Sequence, residues 1–317
     1  MKILITGTAG FVGSHLIDYL LKKDNLKIHG FIEEPSQVKA FEQVKKKIYF
    51  HEVDIRDFDK VKKVIGDVKP DKIFHLAAQS STAYSFQNPR QTFFTNTEGF
   101  LNILEAVRLV GINPFIQIPG SSDEYCLVYE DELPVKETNP LRPLSPYAVS
   151  KITQDFLGYQ YYKSYGLNIV RTRIFHQTGL RRPDKFVISS FASQIALIEK
   201  EKKEPVIHVG NLEVTRDFLD VDDVVGACWL ALEKGKPGEV YNICSGNGYK
   251  LQAILDMLLK LTDKKIEIVQ DPQRLRPSDI PIIIGDASKF KEETGWQPQI
   301  PIEKTLENLL NWWRDNA

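Results

Sequence analysis

A chain of 317 residues with 41 basic and 42 acidic side chains is almost neutral, and it is long enough for one large α/β unit with a smaller lobe attached. It carries no basic stripe and no block of like charge, which argues against nucleic acid or an anionic membrane as partner and favours a small molecule. Cys126, Cys228 and Cys244 are odd in number and far apart, which argues against a disulfide framework or a zinc site and suggests buried thiols in a reducing compartment. A first strand starting at Lys2 leaves no room for a leader, and no apolar run reaches the ~18 residues that span a bilayer, so a cytoplasmic protein is expected.

Through the first half, short apolar strand candidates at 2–6, 27–32, 48–53, 72–77, 114–119 and 168–174 alternate with amphipathic stretches such as 13–23 and 97–110. Each return to the same strand direction needs a crossover, so the alternation predicts an α/β fold with a doubly wound parallel sheet. Beyond Phe175 the rhythm loosens into a helix at 186–200, a strand at 206–209, a helix at 220–233 and a strand at 239–243. The segments 251–261, 266–269 and 302–314 then mix helix and strand. We expect residues 1–175 plus 214–248 to form the larger unit, and residues 176–213 plus 249–317 a smaller C-terminal α/β lobe interleaved with it.

Gly7, Gly10 and Gly13 lie between the first strand and the first helix, where a glycine turn lets backbone amides and the helix dipole approach a pyrophosphate. The spacing is GxxGxxG, and its place directly after the first strand carries more weight than the spacing itself. Glu33 and Glu34 follow the second strand, about 20 positions beyond the last glycine, where a carboxylate accepts the ribose hydroxyls of NAD and repels the 2′-phosphate of NADP. Asp54 ends the third strand, placed either for the adenine amino group or as a helix cap.

Tyr147 and Lys151 are four residues apart, so a helix opened by Pro146 puts both on one face. An ammonium near the phenol lowers a pKa that is ~10 in model peptides and makes the tyrosine an acid or base near neutrality. The fifth strand breaks into Pro119-Gly120-Ser121-Ser122-Asp123-Glu124-Tyr125, and ligands of doubly wound sheets sit at such carboxyl ends. Ser122 is the candidate donor to a reacting oxygen there; a solvated polar loop is the alternative.

The stretches 6–13, Asp54-Ile55, His75-Leu76-Ala77-Ala78, Thr95-Asn96, Ser121-Ser122 and 147–151 together resemble the extended short-chain dehydrogenase/reductase superfamily over essentially the whole chain. The resemblance implies a Rossmann-type domain with cofactor contacts at Gly7, Gly10, Phe11, Val12, Gly13, Glu33, Asp54, Ile55, Leu76, Ala77, Ala78 and Asn96. It implies a catalytic set of Ser122, Tyr147 and Lys151, with the last two also touching the cofactor. A nucleotide-sugar substrate and a homodimer through the helices at 97–110 and 148–165 are implied as well. No metal site is.

Residues 141–147, 210–218 and 275–281 are similar to the GDP-sugar branch, which contains GDP-mannose 4,6-dehydratase and GDP-4-keto-6-deoxy-mannose reductase. That similarity implies Arg216 and Arg276 on the nucleotide diphosphate and ribose and Asp279 as a ribose-binding acid. His176, Arg182, Phe186, Val187 and Asn211 are implied at the remaining substrate contacts. An arginine fork suits phosphate oxygens, although either arginine could equally be a surface ion-pair partner. The chain departs from relatives at His176, where asparagine is usual, at Cys126, where glycine is usual, and at Glu33 and Glu34, where arginines are common. The last departure favours NAD(H), with NADP(H) possible.

The texture of 120–125 and 240–246 favours a reductase acting on the C4 keto group of a GDP-4-keto-6-deoxy-hexose, with Tyr147 as proton donor. The alternative is GDP-mannose 4,6-dehydratase, which recycles its cofactor and needs a further acid/base group, for which Asp123 is the candidate. Another nucleotide-sugar epimerase or dehydratase, or a catalytically inactive nucleotide-binding protein, are further alternatives. The intact Ser122, Tyr147 and Lys151 set argues against the last.

Overall fold

A computed structural model describes residues 1–275 and 280–317. Seven parallel strands form its main sheet: β1 (Lys2–Thr6), β2 (Lys27–Ile32), β3 (Ile48–Glu52), β4 (Lys72–His75), β5 (Phe115–Ser121), β6 (Ile169–Ile174) and, after three strands of the smaller lobe, β10 (Val240–Ile243). Their order is β10-β6-β5-β4-β1-β2-β3, so the chain moves outward from β1 in one direction and then from β4 in the other. Every residue of β4 and β6 is buried, as expected of strands covered on both faces. The doubly wound parallel sheet predicted from the alternation is present.

One face is covered by α1 (Phe11–Leu20), whose Leu16, Ile17 and Leu20 join Val224 and Leu232 of α8 (Val221–Lys234) in a single cluster. The other face is covered by α2 (Phe58–Val68) and α5 (Gly99–Val110), through Val61, Ile65, Phe100, Ile103 and Leu104. Two short helices, α3 (Thr82–Gln87) and α4 (Pro89–Phe93), precede a wide π-turn over Phe94–Glu98. Ser145 caps α6 (Pro146–Tyr165), its hydroxyl accepting from Ala148 N at 3.1 Å, and Pro146 occupies the first turn, where its missing N–H costs nothing.

The smaller lobe holds β7 (His176–Thr178), β9 (Thr215–Asp220), β11 (Gly248–Lys250) and β13 (Ile282–Ile283) in one sheet. The pair β8 (Val206–Val209) and β12 (Glu267–Gln270) forms another. Its core is built by α7 (Val187–Glu199), α9 (Leu251–Leu259) and α11 (Ile302–Asn316), with Phe191, Leu255 and Leu309 fully buried.

The lobes exchange chain at points that differ from the expected partition. β9 lies in the small sheet, although residues 214–248 were assigned to the larger unit. It is a seam, because strand alternation sends Phe218 into the small-lobe cluster and Leu219 into the cluster beside α1 and α8. In the other direction, α10 (Ser288–Thr294) and Trp296 return to the larger unit. Phe290 and Trp296 pack there next to Tyr241, and the Trp296 indole N–H donates to Asp223 O at 3.2 Å.

Candidate active site

The strand order reverses between β1 and β4, and the crevice this opens lies at their carboxyl ends. Gly10 precedes α1, and Gly7 takes a left-handed φ of 67° that turns the chain sharply out of β1. A Cβ on Gly7 would stand 2.6 Å from Ala77 N, and one on Gly13 would stand 2.3 Å from Gly7 O. Larger residues at either point would force backbone apart, which is why the loop can lie flat against β4 and present the first amides of α1 to a phosphate.

Two adjoining pockets lead from this loop. Gly7, Gly10, Glu33, Asp54, Ile55, Leu76, Ala77 and Ala78 line the first, as a site for the adenosine half of a dinucleotide requires. Phe11, Val12, Gly13, Tyr147 and Lys151 line the second, together with Ser122, Asp123, His176, Arg182, Phe186 and Val187 from the expected catalytic and sugar sets. Asn96 lines neither. Its amide buttresses the wall instead, with Oδ1 accepting from Gln79 N at 2.8 Å and Nδ2 donating to Ser150 Oγ at 2.9 Å. Arg216 and Asn211 also line neither pocket; Arg216 is buried on β9 and donates to Thr215 O, and Asn211 Oδ1 accepts from Glu213 N. Arg276 and Asp279 lie outside the described residues.

At the adenosine end Asp54 is not a helix cap, since Asp57 takes that place at α2. Arg56 grips Asp54 through Nε at 2.8 Å and Nη2 at 2.5 Å and so holds its carboxyl below the usual range, with burial opposing. The same Nη2 reaches Glu33 Oε1 at 3.2 Å. Arg56 escaped the sequence reading because nothing in the local pattern separates it from a surface arginine.

At the other end Ser121, one residue before the expected Ser122, lines the second pocket with Tyr147, and its hydroxyl acts on the phenol. β5 runs on through Ser121 before the turn at Ser122–Glu124 begins, so Ser121 ends the strand in the wall of this pocket. Ser122 lines the pocket wall and is itself 1% exposed. Burial pushes the Tyr147 phenol up, with Asp123 adding to the effect and the Ser121 hydrogen bond opposing it. This direction is opposite to the lowering expected from Lys151, because desolvation of the phenolate outweighs the other influences. Burial likewise drags the Lys151 ammonium down to about 8, with Glu124 opposing. Lys151 Nζ donates to Pro119 O at 2.8 Å and to Gln154 Oε1 at 2.9 Å.

Asp123 accepts from Thr82 Oγ1 at 3.0 Å, a partner not foreseen from the sequence. Glu124 turns away from the pocket: Oε1 accepts from Ser121 N at 2.8 Å, and Oε2 meets Arg173 Nε at 3.1 Å. At Cys126 the chain holds a left-handed φ of 43°, a conformation glycine adopts without cost, and Sγ donates to Asp123 O. Arg182 lies over the rings of Phe186, at 3.5 Å, and Phe11, at 4.6 Å, so the smaller lobe touches the glycine loop directly. Burial lowers its pKa to about 10, with the neighbouring Tyr147 opposing. His176 stands edge-on to Phe218 in the pocket wall. Among the described residues no group of three or more side chains could hold a metal ion, and no helix is long and apolar enough to cross a membrane.

A protein-family model described as GDP-mannose 4,6 dehydratase matches residues 4–309. The chain is similar to a GDP-6-deoxy-D-mannose reductase of Pseudomonas aeruginosa, at 32% identity over 100% of this chain and 98% of the relative. It is also similar to a GDP-mannose 4,6-dehydratase of Vibrio cholerae, at 29% identity over 98% and 92%. A solved structure of RMD from Pseudomonas aeruginosa complexed with NADPH superposes with a TM-score of 0.86 and 31% identity, over 100% of this chain and 99% of that one.

Burial and the neighbouring Asp155 push the Glu124 carboxyl up to about 8, with Arg173 opposing. A carboxyl whose folded pKa is raised contributes stability that is complete below its unfolded value of 4.5 and is lost as pH rises through about 8. Thermal melts are expected to show wild-type stability declining between those values more steeply than that of Glu124→Gln. Parallel curves would contradict the assignment.

Proposed function

The chain belongs to the GDP-mannose 4,6-dehydratase family, and from that premise we propose that it reduces the C4 keto group of a GDP-4-keto-6-deoxy-hexose. The observation that carries the reading is the buried Tyr147 phenol, held protonated by desolvation in a pocket that Ser121 and the glycine loop also line. A nicotinamide cofactor, when bound along that loop, supplies the hydride to C4. Ser121 orients the sugar oxygen, and Tyr147 delivers the proton that turns the developing alkoxide into a hydroxyl. Lys151 binds the nicotinamide ribose and offsets negative charge on the phenol. Phe11, Phe186 and the Arg182 between them close the mouth over the reacting sugar. His176, Val187, Asn211, Arg216, Arg276 and Asp279 complete the proposed substrate contacts. Asp123, on the wall beside Tyr147, supports GDP-mannose 4,6-dehydration as the second reading, since it is placed as the additional acid/base group.

Supplying purified protein with GDP-mannose alone, and then with the 4-keto-6-deoxy sugar and NADH or NADPH, separates the two. We expect turnover only in the second case. Conversion of GDP-mannose without net cofactor consumption would sink the reductase reading. Tyr147→Phe is expected to lower kcat by about 10²–10⁴-fold, and unchanged turnover would remove Tyr147 from the mechanism.

We take NAD(H) as the preferred cofactor, because Glu33 lines the adenosine pocket where a carboxylate accepts ribose hydroxyls. NADP(H) is the second reading, supported by Arg56, a cation already at that edge and shared between Asp54 and Glu33. Removing Glu33 would release part of that cation for a 2′-phosphate. Glu33→Ala is therefore expected to raise kcat/KM for NADPH relative to NADH by about tenfold, a factor corresponding to ~1.4 kcal/mol. An unchanged ratio would mean that Glu33 does not read the ribose.

A homodimer through α5 and α6 is the assembly we favour. Val149, Phe156 and Tyr159 stand 39%, 56% and 41% exposed along one face of α6, an apolar stripe at helical spacing that Arg171 and Lys163 border at the Tyr159 ring. Light scattering is expected to give a dimer for wild type and a monomer for Phe156→Glu; a monomeric wild type would exclude the assembly.

A further inference from the structure

We infer that Gln154 is the residue that positions the Lys151 ammonium, leaving a single N–H for the bound cofactor; the inference rests on the catalytic reading above. An ammonium has three donors and no acceptor. One goes to Pro119 O at 2.8 Å and one to Gln154 Oε1 at 2.9 Å. The side chain of Gln154 has only one workable orientation. Its amide nitrogen donates at 2.6 Å to Asn96 O, which can only accept, so the oxygen must face the ammonium, which can only donate. Asn96 belongs to the wide π-turn over Phe94–Glu98, and that turn brings its carbonyl to α6.

The anchor is dry. Gln154 is fully buried and Lys151 is 4% exposed, with the Gln154 amide nitrogen 3.5 Å from His75 Nε2, whose Nδ1 stands 3.1 Å from Thr6 Oγ1. The titratable and charged groups around Lys151 are Tyr147 and Asp155 on its own helix, His75 at the end of β4, Glu124 on the turn after β5, and Arg173 on β6 behind Glu124. Burial keeps His75 neutral, its pKa lowered to about 3. Gln154 thus supplies what no neutral apolar residue could, a fixed acceptor for the charged form of a desolvated lysine. Loss of a hydrogen bond that an ammonium donates lowers its pKa, and an adjacent carboxylate raises it.

The pH dependence of dinucleotide binding tests this without any sugar. NADH and NADPH are titrated by their own fluorescence against wild type, Gln154→Leu and Gln154→Glu, with circular dichroism to follow folding. Binding weakens above the pH at which Lys151 loses its proton. That midpoint is expected to fall by about one pH unit in Gln154→Leu and to rise by about one unit or more in Gln154→Glu. Should the leucine variant not fold, the upward shift in the isosteric glutamate variant decides alone. A midpoint shared by wild type and the glutamate variant overturns the inference, as does affinity lowered evenly at all pH, the mark of a merely structural role. Normal reductase turnover with unmoved midpoints would defeat only the role of Gln154. Shifted midpoints with no GDP-sugar turned over would defeat only the proposed reaction.

Discussion

Arg173 is the interaction on which the catalytic end of the molecule depends. From β6, beside the edge strand β10, it reaches Glu124 on the turn after β5 at 3.1 Å, Asp155 on α6 at 2.9 Å, the Tyr125 hydroxyl at 3.0 Å and the carbonyl of Glu137 at 3.1 Å. A second arginine, Arg171, pairs with Asp155 beside it. Two arginines and the carboxyl groups of Glu124 and Asp155 thereby join β5, β6 and α6 in a buried interior. Taking one partner from such a group typically costs about 3–5 kcal/mol, whereas the intact group adds little net stability over an apolar packing. Its contribution here is geometric: it locks the turn that follows Ser121 to the helix that carries Tyr147 and Lys151.

Burial also sets the chemistry of that end. Tyr147 and Lys151 both lose hydration, and desolvation works in opposite directions on an acid that becomes charged and a base that becomes neutral. The phenol is thereby kept protonated, where the spacing to Lys151 pointed to a lowered pKa. The adenosine end works by the opposite means. There Glu33 and Asp54 are partly open to solvent, and a shared arginine balances their charge. Deep burial sets the state of Tyr147 and Lys151, while accessible ion pairing sets that of Glu33 and Asp54.

Much of the fold was legible in the chain. Strands at 2–6 and 27–32, the helix opened by Pro146 and the glycine turn all depend on residues close together in sequence, where periodicity and φ preferences act. The lobe boundaries were less legible because β9 serves both cores through alternate residues, and one strand cannot announce two partners. Likewise Ser121 and Ser122 are chemically identical, and nothing in the local pattern shows that β5 ends between them.

The sequence by itself determined the doubly wound sheet, the loop that meets a dinucleotide and the pairing of a tyrosine with a lysine on one helical face. These are local patterns, set by spacing and by the chirality of the backbone. Only the tertiary structure decided that Ser121 shares a pocket with the phenol, that Arg56 spans Asp54 and Glu33, that Lys151 donates to Gln154 and that the phenol stays protonated. Each of those depends on groups brought together from separate strands and helices, or on the removal of water around them. Neither proximity across the chain nor dielectric environment is written in the order of neighbouring residues.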